Sequence, residues 1–448
     1  MRRESRGRSR GPDVAVTLGE SNGVGGGAEP VMAKSPVRWL TFENRTMLIL
    51  CLGGGVAALD AQALFYLGPF VTRDLHITNS QMGLLSTAVL FTWALSGFAT
   101  SIWSDRRGQR KKYLIGAFLL FSVLSFASGL AGTVTLLLLA RLLIGCAEGP
   151  IVPLSHAIII AESSPGRRGF NMGVVQSVGS QFVGSAVSPL LIVWLATVFN
   201  WRTAFYVAAL PAIAIALLIA GFIREPGAIS AAAPAEARPL VLTKLLKQLF
   251  SVRNIRVCAL LSCFLNAWYF GLLTFMPLYL VRSLHFSPRD MSHVMACGGL
   301  GAVLSSALVP LLSDRFGRKP VMSMFAALGV LGPCAALVPG AGVTRMMIFV
   351  FLGAWTQGVL PLCIGTVPME SLAQRNAAAS GLIMATGMIG GGLIGPAVCG
   401  RLADLFDLGV AIAICGAAAA LAALTCRALG ETAPRLRGAQ VLTCRNPL

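Results

Sequence analysis

Long runs of apolar positions, broken at nearly regular intervals by short polar stretches, set the pattern of this chain. Twelve runs reach membrane-spanning length, at about 46–71, 81–103, 113–132, 134–157, 171–195, 203–223, 256–281, 291–313, 321–340, 345–368, 380–402 and 408–429. A helix needs about 20 residues to cross a hydrocarbon core of roughly 30 Å. The runs lack the alternation of barrel strands, and only helices or closed barrels satisfy their backbone in lipid. The pattern predicts an all-α membrane protein with twelve transmembrane helices. Composition agrees: 55% of the 448 residues are hydrophobic and 12% are charged. The mean hydropathy of +0.74 is too high for a water-soluble chain of this length.

The net charge of +18 raises nucleic-acid binding as a reading, but the placement of the charge argues against it. Of 36 Lys and Arg residues, six fall in alternate loops (Arg73, Arg202, Arg282, Arg289, Arg345, Arg401) and Arg141 in a span. The remaining 36 − 7 = 29 lie on the other side. By the positive-inside rule that side, with both termini, is cytoplasmic. The protein is expected to be multi-pass in the cell (inner) membrane. Residues 1–38, polar and rich in Gly and Arg, read as a disordered cytoplasmic tail. They lack the apolar stretch of a signal peptide, and Met32 remains open as the start. Residues 224–255 read as a cytoplasmic linker whose basic end, "KLLKQLFSVRNIR", has helical spacing suited to the membrane surface. Residues 430–448 form a second tail. The scattered cysteines lack a CxxC pair, so no metal site and no cofactor are implied.

The chain repeats itself. "SDRRGQRKK" (104–112) follows the second run and "SDRFGRKP" (313–320) the eighth, placing Asp105 and Asp314 314 − 105 = 209 residues apart. "ESSPGRR" and "ESLAQR", after the fourth and tenth runs, place Glu162 and Glu370 370 − 162 = 208 apart. The predicted architecture is two pseudo-symmetric six-helix bundles, 39–223 and 256–429. Parallel halves of this kind are a transporter plan, with the substrate held between them near the midplane.

The twelve runs, the long central loop and the doubled D-R-x-G-[RQ]-[RK] loop resemble the major facilitator superfamily over about 40–430. The resemblance implies a cytoplasmic gate in which the loop aspartate caps a neighbouring helix end and pairs with arginines. Here that gate falls on Asp105, Arg106, Gly108 and Arg110, with Asp314, Arg315, Gly317 and Arg318 as the second copy. The glycine usual four residues before the aspartate is Ser101 in one copy and Pro310 in the other.

Ionisable groups within spans cost roughly 2.5–3.5 kcal/mol each on insertion scales and usually face a cavity or a partner. Three stand near membrane depth: Asp60 in the first run, and Arg141 and Glu148 in "ARLLIGCAEGPIVP". Arg141 and Glu148 share a helix face about 10.5 Å apart along the axis, too far for a relaxed ion pair. Each charge is expected to meet another partner: across a cavity, in water or on a substrate. Rise counting puts Asp60 and Glu148 near the midplane and Arg141 nearer the outer side. A fixed cation with two titratable carboxylates suits proton-coupled carriage of an anion; a pair tying the first helix to the fourth is the structural alternative.

The same stretch and "NWRTAFY" (200–206) resemble the anion:cation symporter branch, with its Arg-x6-Glu pattern in the fourth helix and a carboxylate in the first. "LDAQALFYLGP" (59–69) is similar to the aromatic-acid:proton symporters. These likenesses imply that Arg141 binds substrate and that Asp60 and Glu148 carry protons. Ala57 stands where the aromatic-acid branch has a further aspartate, and Ala61 where many anion:cation symporters have a basic residue. Gln176, Gln181, Asn266, Tyr269 and Gln357 are further candidates for the cavity wall, each equally suited to an interhelical hydrogen bond. "GMIGGGLIGP" (387–396) suits close packing, and His156 an interfacial position.

The resulting expectation is a monomeric, proton-coupled importer of a small organic carboxylate, aromatic or sugar acid. A proton-driven exporter of drugs or metabolites is the alternative. No nucleophile–base set, metal-spaced His cluster or phosphate loop supports an enzyme.

Overall fold

A computed structural model describes residues 41–164, 167–225, 242–372 and 376–433. The tail expected over 1–38, residues 226–241 of the 224–255 linker and all but the start of the 430–448 tail lie outside these residues. Among the described residues, twelve helices of 20 to 33 residues are long and apolar enough to cross a membrane. The first six spans are Phe42–Asp74, Asn79–Thr100, Arg110–Gly129, Val134–Glu162, Arg168–Val198 and Trp201–Phe222. The second six are Arg253–Arg282, Pro288–Phe316, Arg318–Leu337, Val343–Ser371, Ala378–Leu405 and Leu408–Arg427. Each apolar run read from the sequence lies on one of these helices. Their outward surface is apolar, with Phe98 71% and Leu217 67% exposed, as lipid contact requires.

Local chemistry sets the helix ends. Thr41, Thr78, Thr133, Asn200, Ser287 and Asp407 each accept a backbone N–H in the first turn of the span they precede. At Thr78 the Gln81 side chain returns the bond, closing a capping box. A short helix, Leu242–Ser251, leads into the seventh span where the basic linker end was expected to be helical.

Several spans are irregular at mid-depth. The fourth breaks at Gly149–Pro150, directly after Glu148, because proline lacks an amide hydrogen and crowds the preceding turn. The fifth is wound wide over Val175–Val187, and the eleventh over Met388–Leu393. The tenth tightens over Ala354–Gly358 and then widens over Leu362–Thr366. Such windings free backbone groups, and inside a membrane they are tolerated where neighbouring helices or a cavity re-satisfy them.

The face carrying the 104–112 and 313–320 loops is called the basic face. Away from it, one apolar core runs across both halves, joining Leu64, Met82 and Phe205 to Phe275, Met291 and Ile412. Toward the basic face the core divides. Ile49, Phe118 and Ile158 belong to one cluster, and Ile255, Val309 and Phe325 to another. Polar contacts follow the same division. Asp404 in the eleventh span accepts the backbone N–H of Asn79 at 2.9 Å and of Ser80 at 2.8 Å, capping the second span with a carboxylate. Thr87 donates to the Leu393 carbonyl at 2.9 Å, and Thr274 to Ser86 at 3.2 Å. The basic-face part of the eleventh span, Asn376–Gly387, makes no comparable packing with the second span among the described residues. The two halves are thus sealed opposite the basic face and parted toward it.

The seal depends on backbone contact at Gly83, where any Cβ would press on the Pro396 carbonyl. Gly83→Trp should therefore hold the sealed side open. Spin labels at the far ends of the second and eleventh spans should report a longer distance in the variant, by several ångströms. An unchanged distance distribution would show that this contact does not set the closure.

Candidate functional site

The first span presents two different faces to its neighbours. Asp60 and Gln62 lie two residues apart, about 200° around the helix, so one faces the interior of the first half and the other the space between halves.

On the interior side, Asp60, Arg141 and Glu148 are 0%, 1% and 3% exposed. Arg141 Nη1 lies 3.6 Å from Asp60 Oδ2, an ion pair too long for a hydrogen bond. Ser125 of the third span donates to Asp60 Oδ1 at 2.6 Å. The Arg141 guanidinium carbon sits 4.6 Å from the centre of the Phe205 ring in the sixth span, a cation–π contact. Asp60 and Arg141 are both close enough to Glu148 to act on its charge. Four polar atoms in this cluster are buried without a hydrogen-bond partner: Asp60 Oδ2, Arg141 Nε and Nη2, and Glu148 Oε1. Nε and Nη2 form the edge with which arginine grips a carboxylate through two parallel bonds.

Arg141 thus finds its partner in the first span, as the stretched spacing to Glu148 required. The sequence reading placed Arg141 nearer the outer side than Asp60; the length of its side chain brings the two charges to one level. The trio packs between the first, third, fourth and sixth spans rather than around the space between the halves.

That space holds a cavity of about 80 Å³. Its polar wall is Gln62, Tyr66, Ser185, Tyr269 and Gln357. Tyr66 donates to Gln62 Oε1 at 2.8 Å, and Gln62 to Ser185 at 3.4 Å. Tyr269 of the second half lines the same cavity as Ser185 of the first. Gln357 Nε2 is buried without a partner. Of the candidate wall residues, Tyr269 and Gln357 line this cavity, whereas Asn266, Gln176 and Gln181 do not. Asn266 donates to the Ser262 carbonyl at 2.8 Å within its own helix. Gln176 of the fifth span lies beside His156 of the fourth. The 387–396 run packs on the seventh span, with Gly391 against the Cys263 carbonyl. Gln62, Tyr66 and Ser185 were missed because single neutral polar residues are common in spans and carry no insertion penalty that singles them out.

The repeat relates the two sites. Adding the 209-residue offset maps Asp60 onto Tyr269, Arg141 onto Val350 and Glu148 onto Gln357. Gly149 and Gly358, each next to an irregular turn, coincide as well. All three counterparts line the cavity. The same three positions are charged and enclosed in the first half, but neutral and cavity-facing in the second.

At the basic face, the side chains of Asp105 and Arg106 lie outside the described residues. Gly108 ends the second helix at φ 62°, and Arg110 opens the third span. In the second copy Arg318 pairs with Asp314 and, at 2.8 Å, with Glu370, both within the same half. Arg315 lies over the Phe316 ring, and Gly317 turns the chain at φ 99°. Asp314 does not cap the following helix, because it sits in the last turn of the eighth span. Glu431 does so instead: its carboxylate accepts the backbone N–H groups of Arg318 at 2.9 Å and Lys319 at 3.1 Å. Glu225 caps the third span in the same way, accepting from Lys111 at 3.0 Å. The spacing of these two acids, 431 − 225 = 206, close to the repeat offset, was the overlooked signal. Burial pushes the Glu431 carboxyl up, but the N–H groups of Ala433, Arg318, Lys319 and Thr432 outweigh it and hold it below the usual carboxylate range.

A family model described as the Major Facilitator Superfamily matches residues 50–287 and 269–440. A hexuronate transporter of Bacillus subtilis is 27% identical over 381 residues, covering 80% of this chain and 87% of its own. A cis,cis-muconate transport protein of Acinetobacter baylyi is 27% identical over 376 residues, covering 81% and 88%. Among solved structures, a bacterial homologue of the human lysosomal transporter Spinster, inward-facing and unoccupied, superposes with a TM-score of 0.69. It shares 18% identity and covers 87% of this chain and 94% of its own, a likeness of fold.

Two stability measurements probe the charged groups. Removing one partner of a buried ion pair costs about 3–5 kcal/mol, whereas replacing both can be neutral. Arg141→Met and Asp60→Leu should each lower the melting temperature in detergent, and the double variant should recover most of the loss. Additive losses would mean the two charges do not pair. For Glu431, a carboxyl whose pKa is lowered by folding contributes fully above the ordinary glutamate value of about 4.3. That contribution is lost as pH falls through the lowered value. Glu431→Gln should be less stable than the parent at pH 7, and the gap should close only in strong acid.

Proposed function

The chain belongs to the major facilitator superfamily, and from that premise we propose that it imports a small organic anion together with protons. The basic face is the cytoplasmic one, both termini lie there, and the carrier works as a monomer in the cell membrane. The names of the relatives, a hexuronate transporter and a cis,cis-muconate transport protein, support an organic acid as cargo. The observation that carries the coupling is the enclosed trio of Arg141, Asp60 and Glu148, with its unpaired guanidinium edge.

Arginine keeps its charge at any physiological pH. With Asp60 ionised, the pair is neutral overall and offers little to an anion. A proton on Asp60, passed by Glu148 at the break of the fourth helix, leaves the guanidinium charge uncompensated. At an effective dielectric of about 20, that charge attracts an anion about 8 Å away by about 2 kcal/mol, roughly thirtyfold in affinity. The first span carries the effect outward, with Asp60 on one face and Gln62 and Tyr66 on the other. Proton and anion then favour the same loaded carrier, which reorients about the midplane as the sealed side opens and the basic face closes.

Concentrative uptake by cells or proteoliposomes tests this. Asp60→Asn and Glu148→Gln should each abolish accumulation against a gradient, while counterflow exchange survives in at least one of them. Arg141→Met removes the charge that draws the anion from behind the first span, and should weaken substrate binding at least tenfold with expression preserved. Full concentrative uptake by the Asp60→Asn/Glu148→Gln double variant would sink the assignment. Proton-driven loss of internal label, in place of gain, would identify an exporter.

A further inference from the structure

The cavity itself limits what cargo it can hold, and this inference rests on the organic-anion reading above. Its polar groups are few and mostly engaged with one another. Tyr66, Gln62 and Ser185 form a single bonded chain that joins the first and fifth spans, and Tyr269 of the seventh lines the cavity with them. Gln357 Nε2, on the tenth span, is a buried amide donor with no partner. The rest of the wall is flat or apolar, with Trp268, Leu272, Met276, Met295, Pro333 and Val350. Burying a hydroxyl without a hydrogen bond costs about 1–3 kcal/mol in protein mutational data. A sugar acid brings several hydroxyls, and so few polar groups cannot serve them. A planar unsaturated or aromatic acid brings a body that Trp268 and the two methionine thioethers can pack against.

We propose that Gln357 determines specificity in this cavity, and that the preferred cargo is a planar aromatic or conjugated carboxylate bearing one hydrogen-bond acceptor at the end remote from its carboxylate. The carboxylate lies at the Tyr66–Gln62–Ser185 end, drawn by Arg141 behind the first span. The planar body crosses the Trp268 and methionine wall. The remote acceptor, a phenolic or carbonyl oxygen or a second carboxylate, takes the Gln357 Nε2 hydrogen.

The repeat gives an independent reason to single out this side chain. Gln357 occupies the position that Glu148 holds in the first half, after the same Ala/Thr-[Glu/Gln]-Gly pattern and beside an irregular turn. An amide there keeps a donor that does not titrate, so ligand recognition in the second half is independent of the proton chemistry of the first. An ionised glutamate would repel the acceptor and the anion alike.

Equilibrium binding to the purified protein at fixed pH, by calorimetry or thermal shift, tests the proposal without reference to transport direction. The probes are benzoate, 4-hydroxybenzoate, galacturonate and the uncharged 4-hydroxybenzamide. 4-Hydroxybenzoate should bind about tenfold tighter than benzoate, and galacturonate at least tenfold weaker than 4-hydroxybenzoate. Gln357→Leu should bring 4-hydroxybenzoate down to the level of benzoate and leave benzoate unchanged. Gln357→Glu, which preserves shape if the leucine variant misfolds, should weaken 4-hydroxybenzoate at least as much. Galacturonate binding as tightly as 4-hydroxybenzoate would overturn the proposal, as would equal weakening of both benzoates by the Gln357 variants. If the amide binds in a Gln357-dependent way and neither benzoate does, the assignment of Gln357 to a planar ligand stands and the anion reading falls. If no probe binds, the cavity assignment is overturned.

Discussion

A guanidinium that cannot lose its proton, enclosed within a membrane-spanning bundle, is the constraint on which the first half is built. Hydrocarbon offers it no water and the helix of Arg141 offers no partner at three or four residues. The fold answers with a carboxylate from the first span, a serine from the third that fixes that carboxylate, and an aromatic face from the sixth. Four spans are thereby held around one charge. The answer is incomplete, because the Nε and Nη2 edge and one oxygen on each carboxylate keep no partner. A purely structural strut is expected to be fully satisfied. The unmet bonds are what the proposed proton coupling at this cluster rests on.

The second half inherits the geometry without the charge. Tyr269, Val350 and Gln357 stand where Asp60, Arg141 and Glu148 stand in the first, and they face the cavity. On the proposed function the two sites divide the work, one for charge and one for recognition. Beneath the basic face each half keeps a core of its own, while opposite it one core spans both. The intra-half networks of Arg318, Glu370 and Glu431, and of Glu225 with Lys111, keep each body intact where the halves part.

Much of the architecture was legible because lipid imposes a single strong rule: a helix must be apolar over its whole length, and twelve runs obey it. The charged trio was legible for the opposite reason, since Asp60, Arg141 and Glu148 violate that rule. The Asp60–Arg141 pair was legible only as an alternative, a pair tying the first helix to the fourth, because helical spacing governs contacts within one helix and Asp60 approaches from another. The cavity wall was half legible. Tyr269 and Gln357 were found by being polar at depth, but the same criterion also selected Gln176 and Asn266, which lie off the cavity, Asn266 bonded within its own helix. Gln62, Tyr66 and Ser185 become a site only when a bonded chain across two spans is seen.

The central claim is that a proton and an anion share one arginine. Linkage makes the coupling reciprocal: if protonation raises anion affinity, anion binding must draw in a proton by the same factor. Calorimetry of 4-hydroxybenzoate binding in buffers of different ionisation enthalpy reads that proton directly. Net proton uptake should accompany anion binding within the pH range over which the protein is stable, and should be absent in Asp60→Asn/Glu148→Gln. Anion binding with no proton uptake at any pH in that range would contradict the shared arginine.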